Sequence, residues 1–367
     1  MSFLGVQPEE LCEKSLASKA LAIGGSITPL IVSPDEYGGL GLMNPSIIQY
    51  KDKYLINVRN VSYTLHHCDG ANTEEGIFQT PWGPLNYVRP DNDPYLRTTN
   101  FVGEIANKVE RGTLPDGKQE IKITLSNTFE LIKNHKINTD KFPQLPEWDF
   151  VGHEDGRLID WEDKLWISGV RRLAPDGKGR MQLSEIKRSM NTTREVSRNL
   201  IEPPVYTHCE KNWMPILDMP FHYVKWLDPL EIVEVDRSKE PWTSKTIHTG
   251  KSLPIKDRAV DLRGGSQVIP YDDYRICLVH DTDYWQNEKG DRDSHYNHRM
   301  VCWDKDWNLN FVTKPFKFMG GRIEFCCGMA RESDNLLITF GWTDNSAYLL
   351  RIPFSYFLNN VDKEELA

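Results

Sequence analysis

A polar motif followed by a strand, a tight turn and a second strand recurs five times, and it constrains this 367-residue chain more than any other feature. Asn44-Pro45-Ser46 leads into Ile47-Ile48, a turn at Lys51-Asp52-Lys53, and Tyr54 to Arg59. Glu154-Asp155-Gly156-Arg157 leads into Leu158-Ile159, a turn at Glu162-Asp163-Lys164, and Leu165 to Arg171. Glu210-Lys211-Asn212 runs more loosely into Phe221 to Trp226, while Arg263-Gly264-Gly265-Ser266 precedes Val268-Ile269, Asp272-Asp273 and Arg275 to His280. Ile323-Glu324-Phe325 opens the fifth unit, whose turn is Ser333-Asp334-Asn335 and whose return strand is Leu336 to Phe340. The starts lie 110, 56, 53 and 61 residues apart. Periods of that size, built from hairpins, predict an all-β chain folded as a five-bladed β-propeller. A Greek-key sandwich would also use many strands, yet nothing in it would place a polar motif at the head of every hairpin. The long first interval predicts an insertion in the first blade, from about residue 62 to 148. A short N-terminal helix is expected between Pro8 and Leu21, and residues 1–367 form one domain on this reading.

Composition narrows the partners. The sequence is 39% hydrophobic and 26% charged, enough for a sizeable core, and its net charge of −9 creates no general attraction for nucleic acid. One stretch differs: between Arg171 and Leu200, eight basic residues outnumber three acidic ones. The seven cysteines show neither a C-x-x-C pair nor a zinc spacing. No basic leader with an apolar run and no membrane-length apolar stretch is present in the sequence. These features predict a reduced, cytoplasmic protein with no membrane partner.

In a propeller the inner strands line one central channel, so the residues that open the units would converge there. That set is Asn44, Arg59, Asp155, Arg157, Arg171, Lys211, Asn212, Arg263, His280, Asp281, Glu324 and Asp344. Such a cluster is either a lattice of ion pairs between blades or a phosphate-binding site with a carboxylate placed for proton transfer. Tyr296 and His298 alternate on one strand and would share a face near His280. Either histidine could orient a sugar hydroxyl or a diphosphate. Asp281-Thr282-Asp283 forms an Asp-x-Asp, but Asp91-Asn92-Asp93 and Asp291-Arg292-Asp293 match the pattern equally well, so no metal ligand is assigned. The glycine clusters at Gly24-Gly25 and Gly38 to Gly41 lack the lysine and spacing of a phosphate loop, and no G-x-S-x-G elbow exists. Hydrolase triads and classical nucleotide-fold enzymes are therefore poor readings of this sequence.

Asn-Pro-Ser-Ile at Asn44, the run Glu154 to Leu158, and Glu-Lys-Asn-Trp-x-Pro from Glu210 to Pro215 resemble the motifs of the five-bladed β-mannoside phosphorylases and related mannosyltransferases. Arg263 to Ser266, the Tyr296/His298 pair and Ile323 to Cys326 look like motifs of uncharacterised propeller glycosyltransferases of that group. The likeness runs from about Asn44 to Phe354, outside the insertion. It implies that Asp155 transfers the proton and that Arg59, Arg157, Arg171 and Lys211 bind phosphate. Gly156 stands where the phosphorylases carry proline, which puts the phosphorolytic mechanism in more doubt than the fold.

The sequence therefore predicts an inverting glycosyltransferase that uses a nucleotide-sugar donor, with Asp155, or failing it Glu324, as the base. Arg59, Arg157, Arg171, Lys211, Asn212, Arg263 and His280 would hold the donor phosphates. Asn44, Asp281, Tyr296, His298 and Asp344 would contact the sugars. A glycan or small glycoside is the expected acceptor. The basic Arg171–Leu200 stretch also admits DNA bearing a hydroxymethylated base, which would have to leave the duplex stack. No cofactor beyond the donor is assigned, and a divalent-metal requirement is left open. An inverting β-glycoside phosphorylase is the second reading; a non-catalytic propeller that binds glycans or proteins is the third.

Overall fold

The structure, a computed structural model, describes residues 15–32, 41–66, 77–79, 86–88, 95–113, 120–142, 145, 147–255, 261–286 and 292–364. It is built almost wholly of antiparallel strands, with two short helices, Leu16–Ala22 and Phe354–Asn359. The strands fall along the chain into five successive sets, the first three of which are joined into one sheet where Thr193–Glu195 pairs with Glu120–Asn138 and Asn199–Glu202 with Trp242–Thr249. The first pairs Gly41–Tyr50, Lys53–Val61, Leu96–Thr113 and Glu120–Asn138 in that order. The second pairs Glu154–Trp161, Lys164–Leu173, Lys178–Arg188 and Asn199–Glu202. Met214–Pro215, His222–Leu227, Leu230–Asp236 and Trp242–Thr249 make the third. In the fourth, Asp261–Gly264 and Ile269–Tyr271 both pair with Tyr274–Gln286, which continues to Arg292–Asp304 and Leu309–Val312. The fifth joins Glu324–Glu332, Asn335–Trp342 and Ser346–Pro353, and the N-terminal strand Ser26–Pro29 adds its fourth member.

Burial differs sharply between strands. Asn335–Trp342 is buried at six consecutive positions, as its run Leu-Leu-Ile-Thr-Phe-Gly requires of a strand covered on both faces. Trp242–Thr249, the last strand of the third set, has no buried position, and its side chains are half-buried or exposed. The inter-strand turns use residues that accept a positive φ, such as Glu162 and Asp163 at 55° and 58°. Two successive left-handed residues match the right-handed twist of a tight hairpin.

The stretch from 62 to 148, predicted to be an insertion, supplies the two outer strands of the first set. The extra element within it is a small sheet of Thr64–His66, Asn86–Val88 and Ile77–Gln79. Hydrophobic periodicity could not separate the two, because the polar 64–94 region interrupts the repeat before its outer strands begin. The described helix, Leu16–Ala22, covers the second half of the predicted Pro8–Leu21 span, and Ser15 caps it by accepting from the Ser18 amide at 3.1 Å; the rest of that expectation lies outside the described residues. No described helix is long and apolar enough to cross a membrane.

Polar side chains fasten the inner strands. Gln267, fully buried, donates to the carbonyls of Ile47 at 3.0 Å and Leu158 at 2.8 Å, and accepts from the Met329 amide at 3.1 Å. One amide thus ties the first, second and fifth sets to the fourth. Ser46 donates to the Gly156 carbonyl at 2.7 Å, and Thr339 to the Pro45 carbonyl at 2.7 Å. Replacing Gln267 with Leu would strand two carbonyls and an amide without water. Thermal or denaturant unfolding of Gln267→Leu should show a loss of at least about 2 kcal/mol; an unchanged midpoint would rule out this fastening role.

Candidate active site

Three unit-opening residues sit where only a few side chains are comfortable. Asn44, Asp155 and Asn212 have φ of 46°, 52° and 63°. Asn and Asp tolerate this left-handed region better than other non-glycine residues. Asn44 and Asp155 also lie at shifts of strand register, between Met43 and Ser46 and between Glu154 and Arg157. A bulge of this kind re-aims a side chain off the regular alternation, and here it turns both residues into one cavity. Asn44 Nδ2 donates to Asp155 Oδ1 at 2.8 Å, joining the first and second sets at that point. Gly156 leaves room for the Ile167 side chain, and its carbonyl accepts from Ser46 and from Asn57 Nδ2 at 2.9 Å. Gly156 is therefore pinned, and Asp155 with it.

The cavity is lined by Asn44, Arg59, Tyr63, Glu154, Asp155, Arg172, Lys211, Asn212, His280, Ser294, Tyr296 and Asp344, with Met43, Phe150, Ile323 and Phe325 as apolar walls. Arg59, 4% exposed, is its electrostatic hub. Its Nη1 donates to Asp155 Oδ1 at 2.9 Å, its Nε to Thr98 Oγ1 at 2.9 Å and its Nη2 to the Tyr63 hydroxyl at 2.9 Å. Glu154 Oε2 lies 3.7 Å from the same guanidinium, and Glu154 Oε1 lies 3.8 Å from Arg172 Nε.

Burial by itself would raise the pKa of Asp155, but Arg59, Lys211, the Asn44 hydrogen bond and Arg157 together hold it below the usual carboxylate range. Asp155 is thus an ionised carboxylate. Lys211 makes no hydrogen bond or ion pair among the described residues, although its charge reaches Asp155 and His280. An uncommitted ammonium in a cavity wall is a ready anion ligand. Asn44 Oδ1, Asn212 Oδ1 and Glu154 Oε1 are buried without hydrogen-bond partners, as expected where a polar ligand completes the network.

His280 is held neutral: burial lowers its pKa well below the ordinary value, and His298, Arg263, Lys211 and Arg157 push the same way. Its Nδ1 lies 3.1 Å from the Gly264 carbonyl, which can only accept, so Nδ1 carries the proton and Nε2 is an acceptor. The ring stacks on Tyr296 with centroids 5.4 Å apart and meets Phe325 edge-on at 4.9 Å. His280 therefore brings no positive charge to the cavity, and of the two expectations for it, a phosphate or a sugar hydroxyl, its neutral ring with a free Nε2 lone pair suits the hydroxyl.

The structure brings Asn44, Arg59, Asp155, Lys211, Asn212, His280, Tyr296 and Asp344 together and leaves the remaining predicted residues off the wall. Arg157 is buried behind it, donating to the Gly265 and Asp155 carbonyls at 2.7 and 3.0 Å, so it braces the Asp155 backbone. Arg263 pairs in register with His280. Arg171 is committed to Glu147 and, at 2.6 Å, to Gln182, beside a different cavity. Asp281 is bound by Arg299 at 2.7 Å. His298 Nε2 accepts the Cys326 amide at 3.2 Å, and burial lowers its pKa to about 3. Among the described residues no three His, Cys, Asp or Glu side chains converge as metal ligands.

Glu324, the alternative base, accepts the amides of Phe318, Met319 and Gly321 at 2.6, 2.8 and 2.7 Å and is fully buried. Its oxygens are occupied in shaping that turn. In Glu324→Gln one oxygen becomes a donor facing a donor, so chemical unfolding should reveal a loss of about 2–3 kcal/mol. Turnover per folded molecule should stay near wild type; a large fall in kcat at full folding would restore a catalytic role.

Tyr63, Glu154, Arg172 and Ser294 line the site without having been singled out. Glu154 was visible as the motif partner of Asp155, and Arg172 as the neighbour of Arg171. Alternation decides between those two arginines: Arg172 turns to this cavity and Arg171 to the other side of the sheet. Part of the positive excess of the Arg171–Leu200 stretch is matched by acids outside it, Glu147, Glu154 and Glu104, while Glu195 and Asp176 belong to the three acids already counted within it. Arg171 pairs with Glu147, Arg188 with Glu104, Arg198 with Glu195 and Lys178 with Asp176.

No family sequence model and no curated protein sequence matches the chain. Solved structures do. The β-1,2-mannobiose phosphorylase of Listeria innocua, in complex with β-1,2-mannobiose, aligns over 91% of this chain and 96% of its own, with a TM-score of 0.51 at 15% identity. The fold is that of the β-mannoside phosphorylases. A candidate glycosidase from Bacteroides thetaiotaomicron aligns over 95% of this chain and 99% of its own, also at a TM-score of 0.51, with 12% identity. A GDP-Man-dependent mannosyltransferase from Leishmania mexicana covers 93% of this chain and 94% of its own, with a TM-score of 0.44 and 12% identity. At these identities the likeness establishes fold alone.

Proposed function

We propose that the five strand sets close into a single five-bladed ring and that the Asp155 cavity is the active site of an inverting, nucleotide-sugar-dependent glycosyltransferase. Ring closure is supported by the N-terminal strand Ser26–Pro29, which completes the last set and so joins the two ends of the described chain. Single-domain organisation is supported by Gln267, which bonds to three other sets at once.

The observation that carries the reaction is the placement of the Asp155 carboxylate in the cavity wall, held by Arg59 Nη1 at 2.9 Å and Asn44 Nδ2 at 2.8 Å. A transferase needs a base: the acceptor hydroxyl attacks the anomeric carbon as its proton passes to the carboxylate, while the bond from that carbon to the donor phosphate breaks on the opposite face. A carboxylate held below its ordinary pKa by Arg59 and Lys211 starts in the right state. Lys211, uncommitted, would take the departing diphosphate, with Arg59 and Arg172 behind it. His280 Nε2, the Asn44 and Asn212 oxygens and Asp344 would hold sugar hydroxyls against the Tyr296 and Phe325 rings.

Phosphorolysis runs the same geometry in the other sense and needs Asp155 protonated at the start. A bound phosphate would offset Lys211 and Arg59 and raise that pKa, so this is the specific rival. For DNA as acceptor the supporting feature was the basic stretch, and the pairing of Arg171, Arg172 and Arg188 with acids outside it lessens that support. Incubation with a panel of nucleotide sugars and acceptor glycosides, followed by mass spectrometry, tests the proposal against disaccharide plus inorganic phosphate. Product only in the phosphate arm would overturn the transferase reading in favour of the phosphorylase.

A further inference from the structure

The larger cavity lies elsewhere, with a volume of about 420 Å³ between the first and second sets. The segment from 147 to 155 separates it from the active-site cavity. Phe150, Glu154 and Asp155 face one side, while Glu147, Val151, Gly152 and His153 face the other. Gly152, at φ 110°, passes so close to Thr98 that a Cβ would strike its carbonyl, so the partition is thin. Thr98 itself lines the second cavity while its hydroxyl accepts from Arg59 of the first.

The chemistry inside is distinctive. Arg171 bonds to Glu147 and Gln182; Arg198 bonds to Glu195 through Nε at 3.0 Å and Nη2 at 2.6 Å; Glu195 also accepts from Ser184 at 2.6 Å. The two buried guanidinium groups, Arg171 and Arg198, are therefore already matched to carboxylates, so an anion there would have to compete with a buried acid, while Arg97 and Lys136 line the rim as exposed side chains. His153 is neutral, its pKa lowered to about 3 by burial and then by Arg171 and Arg198. Its Nε2 is buried without a hydrogen-bond partner, over Gly169, where a Cβ would come within 2.8 Å. Phe142 supplies an aromatic ring at the edge, with the Arg198 guanidinium 5.2 Å from its centroid. Hydroxyl groups both donate and accept, so vicinal hydroxyls can bond to guanidinium and carboxylate edges together without separating them. An aromatic ring beside such a polar bed suits the apolar face of a pyranose.

We propose that this cavity is a second saccharide site, taking a neutral sugar ring either from the far end of an oligosaccharide acceptor or from a separate molecule. The inference extends the proposed function but does not require that the reaction be glycosyl transfer. Neutral di- and trisaccharides of mannose, glucose and N-acetylglucosamine, and the free monosaccharides, would be titrated by ligand-observed NMR into wild type, Lys211→Ala, Phe142→Ala and Phe142→Trp. For at least one neutral saccharide we expect binding that survives Lys211→Ala, weakens about tenfold or more in Phe142→Ala, and returns in Phe142→Trp. Tenfold is about 1.4 kcal/mol, in keeping with one lost ring contact. Binding by monosaccharides would identify a separate ligand; binding only by longer chains would identify an extended acceptor. Binding abolished by Lys211→Ala, binding indifferent to Phe142, binding limited to phosphorylated sugars, or no binding by any of the panel would each overturn the proposal. Saccharide binding at Phe142 with no transfer or phosphorolysis would leave this site standing and remove the proposed reaction.

Discussion

Asp155→Asn is expected to lower kcat by about 10²–10⁴-fold, the range for removing a positioned acid or base. The shape is conserved, and Arg59 keeps Thr98, Tyr63 and Glu154 as partners, so circular dichroism should report a folded protein. The pH dependence makes the test sharper. The folded pKa of Asp155 is depressed, so its carboxylate stabilises the protein above the unfolded pKa, and that stabilisation is lost as pH falls through the folded value. In wild type the acid limb of kcat/KM for a base-catalysed reaction should therefore lie below about pH 3.9, the ordinary aspartate value. Asp155→Asn should lose that limb along with most of its turnover, and should lose less stability than wild type when acidified over the same range. Full activity in Asp155→Asn would end the assignment. An activity that instead requires a protonated group near neutrality would favour phosphorolysis with phosphate bound.

Lys211→Ala is the complementary case, with an expected fall in kcat of about 10²–10³-fold, equivalent to roughly 2.7–4 kcal/mol of charge stabilisation at the leaving group. Lys211 makes no hydrogen bond or ion pair with any described residue, and Asp155 keeps Arg59 and Asn44 when the lysine is removed, so the melting temperature should fall only slightly while the Asp155 pKa rises. That separation of activity from stability is what a merely structural lysine would not give. Lys225 offers the contrast: it is buried, 3.9 Å from both Glu210 and Glu231, and Lys225→Ala would leave those acids without their cation. A Lys211→Ala enzyme that unfolds early or turns over normally would remove the lysine from the proposed site. Saturation of the residual rate with donor would show whether kcat or KM carries the loss.

Much of the architecture was legible before any coordinates. The five polar-headed hairpins correspond to five strand sets, and their turns at Lys51, Glu162, Asp272 and Ser333 all adopt positive φ. Local chemistry specifies such features: β-branched and aromatic runs make strands, and Asp, Asn and Lys between them permit tight turns. The two outer strands of the first set were hidden inside the supposed insertion. The polar segment before them breaks the repeat, and pairing between Lys53–Val61 and Leu96–Thr113 is a long-range event without a local signature.

For the site, the sequence alone determined the supply: Asn44, Asp155 and Asn212 are residue types that accept a left-handed backbone, and each heads a unit near basic residues. Only the tertiary structure decided which charges meet. Side chains two apart on one strand share a face, but which face looks onto the cavity depends on bulges and on neighbouring sets. That is why Arg172 reached the wall while Arg171 turned to Glu147, and why Glu324 spent its oxygens on three amides while Glu154 kept one unpartnered. Ionisation follows the same logic, because the state of Asp155 is set by Arg59 and Lys211, which approach it from other strand sets across the fold.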